Sequence, residues 1–487
     1  MNRNRDLRFV VIGAGMAGIL SGIKLLQSGH RNICIYEKGA KVGGTWRENT
    51  YPGLTCDVAA HAYTYSFEPN PDWSRYLAGG DEIQAYFERT AQKYGIDQYL
   101  QCNEEIVQCE YLDGRWQIRT RSGIRDEADV VIAATGVLHK PGYPAIAGMD
   151  RFGGAMFHSA RWDHSVALDD RRIGIIGSGS TGVQIVSALA SRAQSLTHFQ
   201  RSAQWIMPVE NPVFTEEQKE AFRRDPALLK HMQNEPLYAE AVDRFNHAIA
   251  NPDSVEMHQI EAIALQNLED SVADPALREK LRPTYRAACK RLVYSPDYYR
   301  AIQRPNASLV TERIDSIEPA GVRTADGQLH PLDVLVLATG FDAHAFMRPM
   351  RILGRNGTSL DDAWSGGPCA YLSISMPGFP NFFMLNGPNG PVGNFSLIEI
   401  AEHQWHYISQ LIELLRSGQC REVSASRQAT DDFETARISA ARNTIFGSGC
   451  QSWYLDANGV PATWPWDRQR FFEEMQQPKL EAFELAG

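Results

Sequence analysis

Two stretches of this chain place three glycines each where a backbone can close around a pyrophosphate. Gly13-Ala14-Gly15-Met16-Ala17-Gly18 follows the apolar run Phe9-Val10-Val11-Ile12, and Gly177-Ser178-Gly179-Ser180-Thr181-Gly182 follows Ile173 to Ile176. A helix-compatible stretch comes after each, Ile19 to Gln27 and Val183 to Ala190. In such a strand–turn–helix opening the glycines permit a tight turn, close approach of phosphate and packing of helix on strand, while the helix N-terminus faces the anion. Glycine turns also serve plain packing, so the spacing alone is weak; the strand before and the helix after both copies strengthen it.

One position tells the two sites apart. Nineteen residues after Gly18 stands Glu37, closing Ile33-Cys34-Ile35-Tyr36-Glu37, and nineteen residues after Gly182 stands Arg201, closing Thr197-His198-Phe199-Gln200-Arg201. A carboxylate there accepts hydrogen bonds from a ribose 2′-hydroxyl and repels a 2′-phosphate; a guanidinium does the reverse. The first site is therefore expected to hold FAD or NAD and the second NADP. The plainer alternative for Arg201 is a solvated charge at a strand end. Gly43-Gly44-Thr45-Trp46 follows Glu37 closely and offers bare backbone to a flavin ring, although spacing alone leaves FAD and NAD both open.

The elements that must position these residues imply an α/β chain with two dinucleotide-binding, Rossmann-like domains. Asp129-Val130-Val131-Ile132-Ala133-Ala134-Thr135-Gly136 and Asp333-Val334-Leu335-Val336-Leu337-Ala338-Thr339-Gly340 read as buried strands, each ending in a glycine where the chain turns beside a ligand or crosses between domains. Between Thr215 and Lys290 the composition shifts to charged residues, Ala and Leu, and Asp225-Pro226 and Asp274-Pro275 each set a capping acid before a first-turn proline. The expected division is an FAD domain from 1–140 and 342–487, an NADP domain from 141–214 and 290–341 inserted within it, and a helical excursion over 215–289.

Composition bounds the classes. The 487 residues exceed one ordinary core, and a formal net charge of −10 advertises no nucleic-acid partner. No apolar run approaches the roughly 20 residues of a membrane span, and no leader pattern precedes Phe9. The eight cysteines show no CxxC pair. A soluble, cytoplasmic chain with reduced thiols is the expectation.

Three further motifs carry a family resemblance. Phe152-Gly153-Gly154-Ala155-Met156-Phe157-His158-Ser159-Ala160-Arg161-Trp162-Asp163 resembles the FxGxxxHxxxW fingerprint, followed by Pro or Asp, of the class B flavoprotein monooxygenases and, among them, the type I Baeyer–Villiger monooxygenases. Gly43-Gly44-Thr45-Trp46, Tyr51-Pro52-Gly53 and Asp57 are similar to a second family pattern, and Cys289-Lys290-Arg291 with Tyr298-Tyr299 to a third. The ordered motifs run from about residue 9 to 400.

The resemblance implies an enzyme that uses NADPH and O2 to turn ketones into esters or lactones through an anionic flavin C4a-peroxide. By motif position Arg291 is the fixed cation beside that peroxide, aimed by Asp57; the bland alternatives are a surface arginine and a turn-capping aspartate. The resemblance places FAD at Gly13, Gly15, Gly18, Glu37, Lys38, Gly44, Thr45, Trp46, Asp57 and Asn386. It places NADPH at Gly177, Gly179, Ser180, Thr181, Gly182, Arg201, Ser202 and Lys290, the last pair beside Arg201 at the 2′-phosphate. His158, Trp162 and Asp163 are expected to support the domain junction more than proton transfer. The loop Asn386 to Phe395 falls where the family lines its substrate pocket, and Trp453, Tyr454, Trp464 and Trp466 are either a wall of that pocket or core. No metal, nucleic acid or membrane is expected as a partner; oligomeric state and ketone identity stay open.

Rival readings are weaker. A flavin-containing monooxygenase acting on nitrogen or sulfur shares both nucleotide sites, but its fingerprint normally lacks the Trp162-Asp163 ending. A flavin disulfide reductase needs two redox cysteines close together, and Cys56 has no successor until Cys102. A noncatalytic flavin-binding scaffold would have no use for the full motif set.

Overall fold

The computed structural model describes residues 5–234 and 236–487. Phe9–Ile12 is the middle strand of a five-stranded parallel sheet ordered Phe382–Met384, Val130–Ala133, Phe9–Ile12, Ile33–Glu37, Leu100–Cys102. All four residues of Phe9–Ile12 are buried, which is why the run is continuously apolar: helices and loops cover both faces of a parallel sheet. One edge strand comes from residue 382 onward, so the late part of the chain completes the sheet begun by the first glycine motif.

The second glycine motif opens an equivalent parallel sheet, ordered Ala307–Val310, Ser195–Phe199, Arg172–Ile176, Val334–Leu337, Ala155–His158. Among the described residues two antiparallel meanders carry no mark in the glycine motifs. Ile106–Leu112, Arg115–Thr120 and Arg125–Ala128 form a meander joined by Arg351–Leu353, and Ile314–Glu318, Gly321–Thr324 and Leu329–Pro331 form a smaller one.

Among the described residues five helices fill the stretch after Thr215: Glu216–Arg224, Pro226–Gln233, Pro236–Ala250, Val255–Ser271 and Pro275–Leu281. Their starts follow local chemistry. Asp225 accepts from the N–H groups of Ala227 and Leu228, Asp274 from that of Ala276, and Thr215 forms a capping box with Gln218. The excursion is closed at its base by a short parallel ladder, Ile206–Met207 against Val293–Tyr294. Among the described residues no helix is long and apolar enough to cross a membrane.

The chain passes between the two sheets at 137–142 and 338–342, and these strands run against each other. Gly142 N–H donates to Gly340 O (2.8 Å), Asp342 N–H to Lys140 O (2.9 Å), and Lys140 pairs with Asp342 (2.9 Å). His158 sits here, buried between Tyr143 and Phe341. Its Nδ1 accepts from Ala160 N–H (3.1 Å), which leaves the proton on Nε2 to donate to Gly340 O (3.0 Å). Burial lowers its pKa. Both ring nitrogens are thus spent on backbone.

One pair of cysteines corrects the expectation of reduced thiols, while Cys34, Cys56, Cys102, Cys109, Cys369 and Cys420 are free. Cys289 and Cys450, 161 residues apart, are joined by a disulfide with Cα atoms 6.2 Å apart. Neither lies in a spacing that marks a pair, because the link is made by the fold and not by local sequence.

Candidate active site

A cavity of about 610 Å³ opens between the two sheets. Of the residues expected at the first cofactor, Gly13, Gly15, Glu37, Lys38, Gly44, Thr45, Trp46, Asp57 and Asn386 line it; Gly18 does not. Of those expected at the second, Ser180 and Thr181 line it, whereas Gly177, Gly179, Gly182, Arg201, Ser202 and Lys290 lie outside its lining. Arg291, Val392, Gly393, Phe395 and Trp453 complete the side that faces the C-terminal part of the chain.

The donor set fits a dinucleotide bearing a flavin. The helix Met16–Gln27 starts at Gly15 with no side-chain cap, so its first N–H groups are free to meet an anion. Gly15 and Gly44 face each other so closely that a Cβ on Gly44 would lie 2.9 Å from the Gly15 Cα, and Gly44 itself has φ +55°. That cradle admits nothing but backbone. Glu37 accepts from Ala14 N–H on Oε2 (2.8 Å) and from Gly39 N–H on Oε1 (2.7 Å), and Oε1 also pairs with Arg47 (2.9 Å), which fixes the carboxylate while Oε2 keeps acceptor capacity. Among the described residues the buried Asn386 Oδ1 has no hydrogen-bond partner, a polar atom that a bound ligand would satisfy. The role of Arg47 carried no sequence signal.

Arg201, Ser202 and Lys290 are brought together at the second site. Lys290 Nζ donates to Ser202 Oγ (2.8 Å) and lies 4.4 Å from the centre of the Tyr285 ring. Burial, then repulsion from Arg201, lowers the Lys290 pKa. Two cations and a hydroxyl converging in this way suit a phosphate dianion.

Asp57 and Arg291 are brought together from positions 234 residues apart. Arg291 Nε and Nη2 both donate to Asp57 Oδ2, at 2.9 and 2.7 Å, and Nη1 donates to Gly393 O at 3.1 Å. The arginine reaches this place because the Val293–Tyr294 ladder anchors the chain two residues later: Val293 N–H donates to Trp205 O and Ser295 N–H to Met207 O. Asp57 follows Cys56, whose N–H donates to Ala78 O. The negative charge of Asp57 raises the Arg291 pKa further above its already high value, so the guanidinium is charged at every working pH. About a third of the arginine side chain remains open to the cavity.

Two contacts at the seam were not foreseen. Tyr51 Oη donates to Gln184 Oε1 (2.9 Å), and Gln184 Nε2 donates to Thr55 O (3.1 Å), tying the Asp57 loop to the helix Ser180–Leu189. The C-terminal aromatics divide: Trp453 lines the cavity, Tyr454 turns its hydroxyl to Gly393 beside Arg291, and Trp464 is core, packed on Trp466 and Phe471.

Residues 6–216 match the model of the flavin-binding monooxygenase-like family. The chain is 46% identical, over 93% of its length and 91% of the relative's, to a protein of Mycobacterium tuberculosis described as an uncharacterized monooxygenase. It is 34% identical to a Baeyer–Villiger monooxygenase of Streptomyces coelicolor, over 99% of this chain and 93% of the relative. Among solved structures, cyclohexanone monooxygenase from Rhodococcus sp. Phi1 bound to NADP+ superposes with a TM-score of 0.88 at 28% identity, covering 99% of both chains. The fold, the paired glycine openings and these relatives together establish that the chain belongs to the Baeyer–Villiger branch of the flavin-binding monooxygenase family.

Proposed function

We propose that this protein is an FAD-containing, NADPH- and O2-dependent Baeyer–Villiger monooxygenase that converts ketones to esters or lactones. The observation that carries the reading is the charged Arg291, aimed into the cavity by Asp57 and the Gly393 carbonyl. A bound flavin reduced by NADPH supplies the centre at which O2 is activated. Arg291 presents a fixed positive charge where negative charge builds up during oxygen transfer to a carbonyl, and because it is oriented in advance it costs no reorganisation at that moment. Asp57 holds its direction. Glu37 and the Gly15–Gly44 cradle take the FAD ribose and pyrophosphate, and Arg201, Ser202 and Lys290 select NADPH over NADH through the 2′-phosphate. In this reading 1–140 and 342–487 form the FAD domain, 141–214 and 290–341 the NADP domain, and 215–289 the helical excursion. His158, with both nitrogens bonded to backbone, supports the crossing and moves no proton.

The test is incubation of the purified yellow enzyme with NADPH, air and a panel of cyclic, linear and aryl ketones plus a thioether, with products identified by mass spectrometry. Esters or lactones support the reading. Sulfoxide alone, with every ketone untouched, replaces it with a heteroatom oxygenase.

A further inference from the structure

The turn that delivers Arg291 is held from the far end of the chain. Ala288 has a left-handed backbone, φ +59°, a conformation unfavourable for a residue with a Cβ and retained only where the surroundings over-determine it. Those surroundings are a second segment. Cys289 is fully buried and bonded to Cys450, and Cys289, Leu292, Phe446, Cys450 and Tyr454 belong to one apolar cluster. From Cys450 the segment runs to Tyr454, whose ring packs on Trp453 (4.1 Å) and Phe446 (4.4 Å). The Tyr454 hydroxyl then lies against Gly393, where an added Cβ would come within 2.3 Å of it and within 3.1 Å of Arg291 Nη1, so the hydroxyl and the guanidinium share one corner of the site.

Arg291 is therefore hydrogen-bonded by the Asp57 carboxylate and the Gly393 carbonyl, and the Tyr454 hydroxyl stands beside it at Gly393. Both bonds to Asp57 end on one oxygen, an arrangement that fixes a direction while permitting rocking about that atom. A hydroxyl on another side suppresses the rocking. We propose that Tyr454 is a positioning residue for Arg291, and that the Cys289–Cys450 bond pins the segment carrying Tyr454 to the arginine's own turn. This rests on the reading of Arg291 as the cation of the site.

The test compares holoenzyme carrying Tyr454→Phe, Cys450→Ser or neither. Arg291 is labelled with phenylglyoxal and read by peptide mass spectrometry against the buried Arg437 as internal control; the same samples are scored for the share of consumed NADPH released as hydrogen peroxide. Removing the polar hydroxyl beside the charged group is expected to raise Arg291 labelling by about tenfold in Tyr454→Phe. Cys450→Ser should move it in the same direction, with Arg437 unchanged and the peroxide share higher in both variants. In an Arg291→Lys background Tyr454→Phe should change the peroxide share no further. Unaltered labelling and coupling in Tyr454→Phe overturn the positioning role, as does an undiminished effect in the Arg291→Lys background. A Cys450→Ser protein that matches wild type, or a non-reducing peptide map without the linked 289 and 450 peptides, overturns the pinning. Labelling reads the grip on Arg291 whatever substrate is oxidised, so its failure is distinguishable from failure of the ketone assay.

Discussion

Lys290 and Arg291 are consecutive in the chain, yet Lys290 donates to Ser202 and Arg291 to Asp57, so one turn serves both halves of the site. The two should therefore fail differently when removed. Arg201→Ala and Lys290→Ala each delete a cation from the same phosphate-sized cluster. Each is expected to raise the KM for NADPH about 10- to 100-fold, the worth of one charge-assisted hydrogen bond, while the KM for NADH barely moves. Steady-state kinetics with both nucleotides decide it; equal losses for NADPH and NADH would remove the cluster from 2′-phosphate recognition.

Gly393 has φ +91°, and a Cβ there would sit 2.3 Å from the Tyr454 hydroxyl and 3.1 Å from Arg291 Nη1. Gly393→Ala must displace one of them or move its own loop. Product formation is expected to fall at least about tenfold, in line with misplacement of a preorganised charge, and thermal stability to fall as well, since alanine is strained at a positive φ. Unchanged ester formation with unchanged NADPH use would show that the loop yields freely and that the arginine's place is not tightly set.

Acid stability should carry the mark of His198. It is fully buried beneath the second glycine motif, with Nδ1 accepting from Tyr298 Oη (3.0 Å) and Nε2 donating to Gly177 O (2.9 Å). Burial lowers its pKa from 6.5 to about 4. Between these values the unfolded chain binds a proton there that the folded chain does not, so stability falls as pH falls through that window. The share of His198 is on the order of 2 kcal/mol between pH 6.5 and 5. Urea unfolding across pH 7 to 5 should show a slope smaller by up to one proton in His198→Asn than in wild type. Equal slopes would mean that His198 is not held neutral.

Much of this was legible because it is local. The strand–glycine–helix openings, the Glu37 and Arg201 positions and the Asp225 and Asp274 caps all announce themselves within about twenty residues, and the continuous burial of Phe9–Ile12 and Val334–Leu337 follows from their unbroken apolar runs. The pairing of Asp57 with Arg291 was readable only through family motifs, since no periodicity links residues so far apart. Tyr454, the Cys289–Cys450 bond and the Tyr51–Gln184 contact were not legible. Each is a long-range meeting decided by tertiary packing, and Trp453, Tyr454 and Trp464 look alike in sequence although one lines the cavity, one turns its hydroxyl to Gly393 beside Arg291 and one fills the core. The antiparallel meanders hid for a related reason. Strands such as Arg125–Ala128 are short and largely polar, and pairing with neighbours makes them strands more than propensity does.

The central claim is that Arg291 supplies the charge on which ketone oxygenation depends. It is tested most directly by Arg291→Ala, followed at once for NADPH consumption, hydrogen peroxide and ester with any ketone the wild type accepts. The account predicts that NADPH is still consumed and FAD still bound, that the reducing equivalents appear as hydrogen peroxide, and that ester falls by about 100-fold or more, the scale expected for one preorganised charge. Ester formation within about twofold of wild type, on the same scale of reasoning, would contradict it.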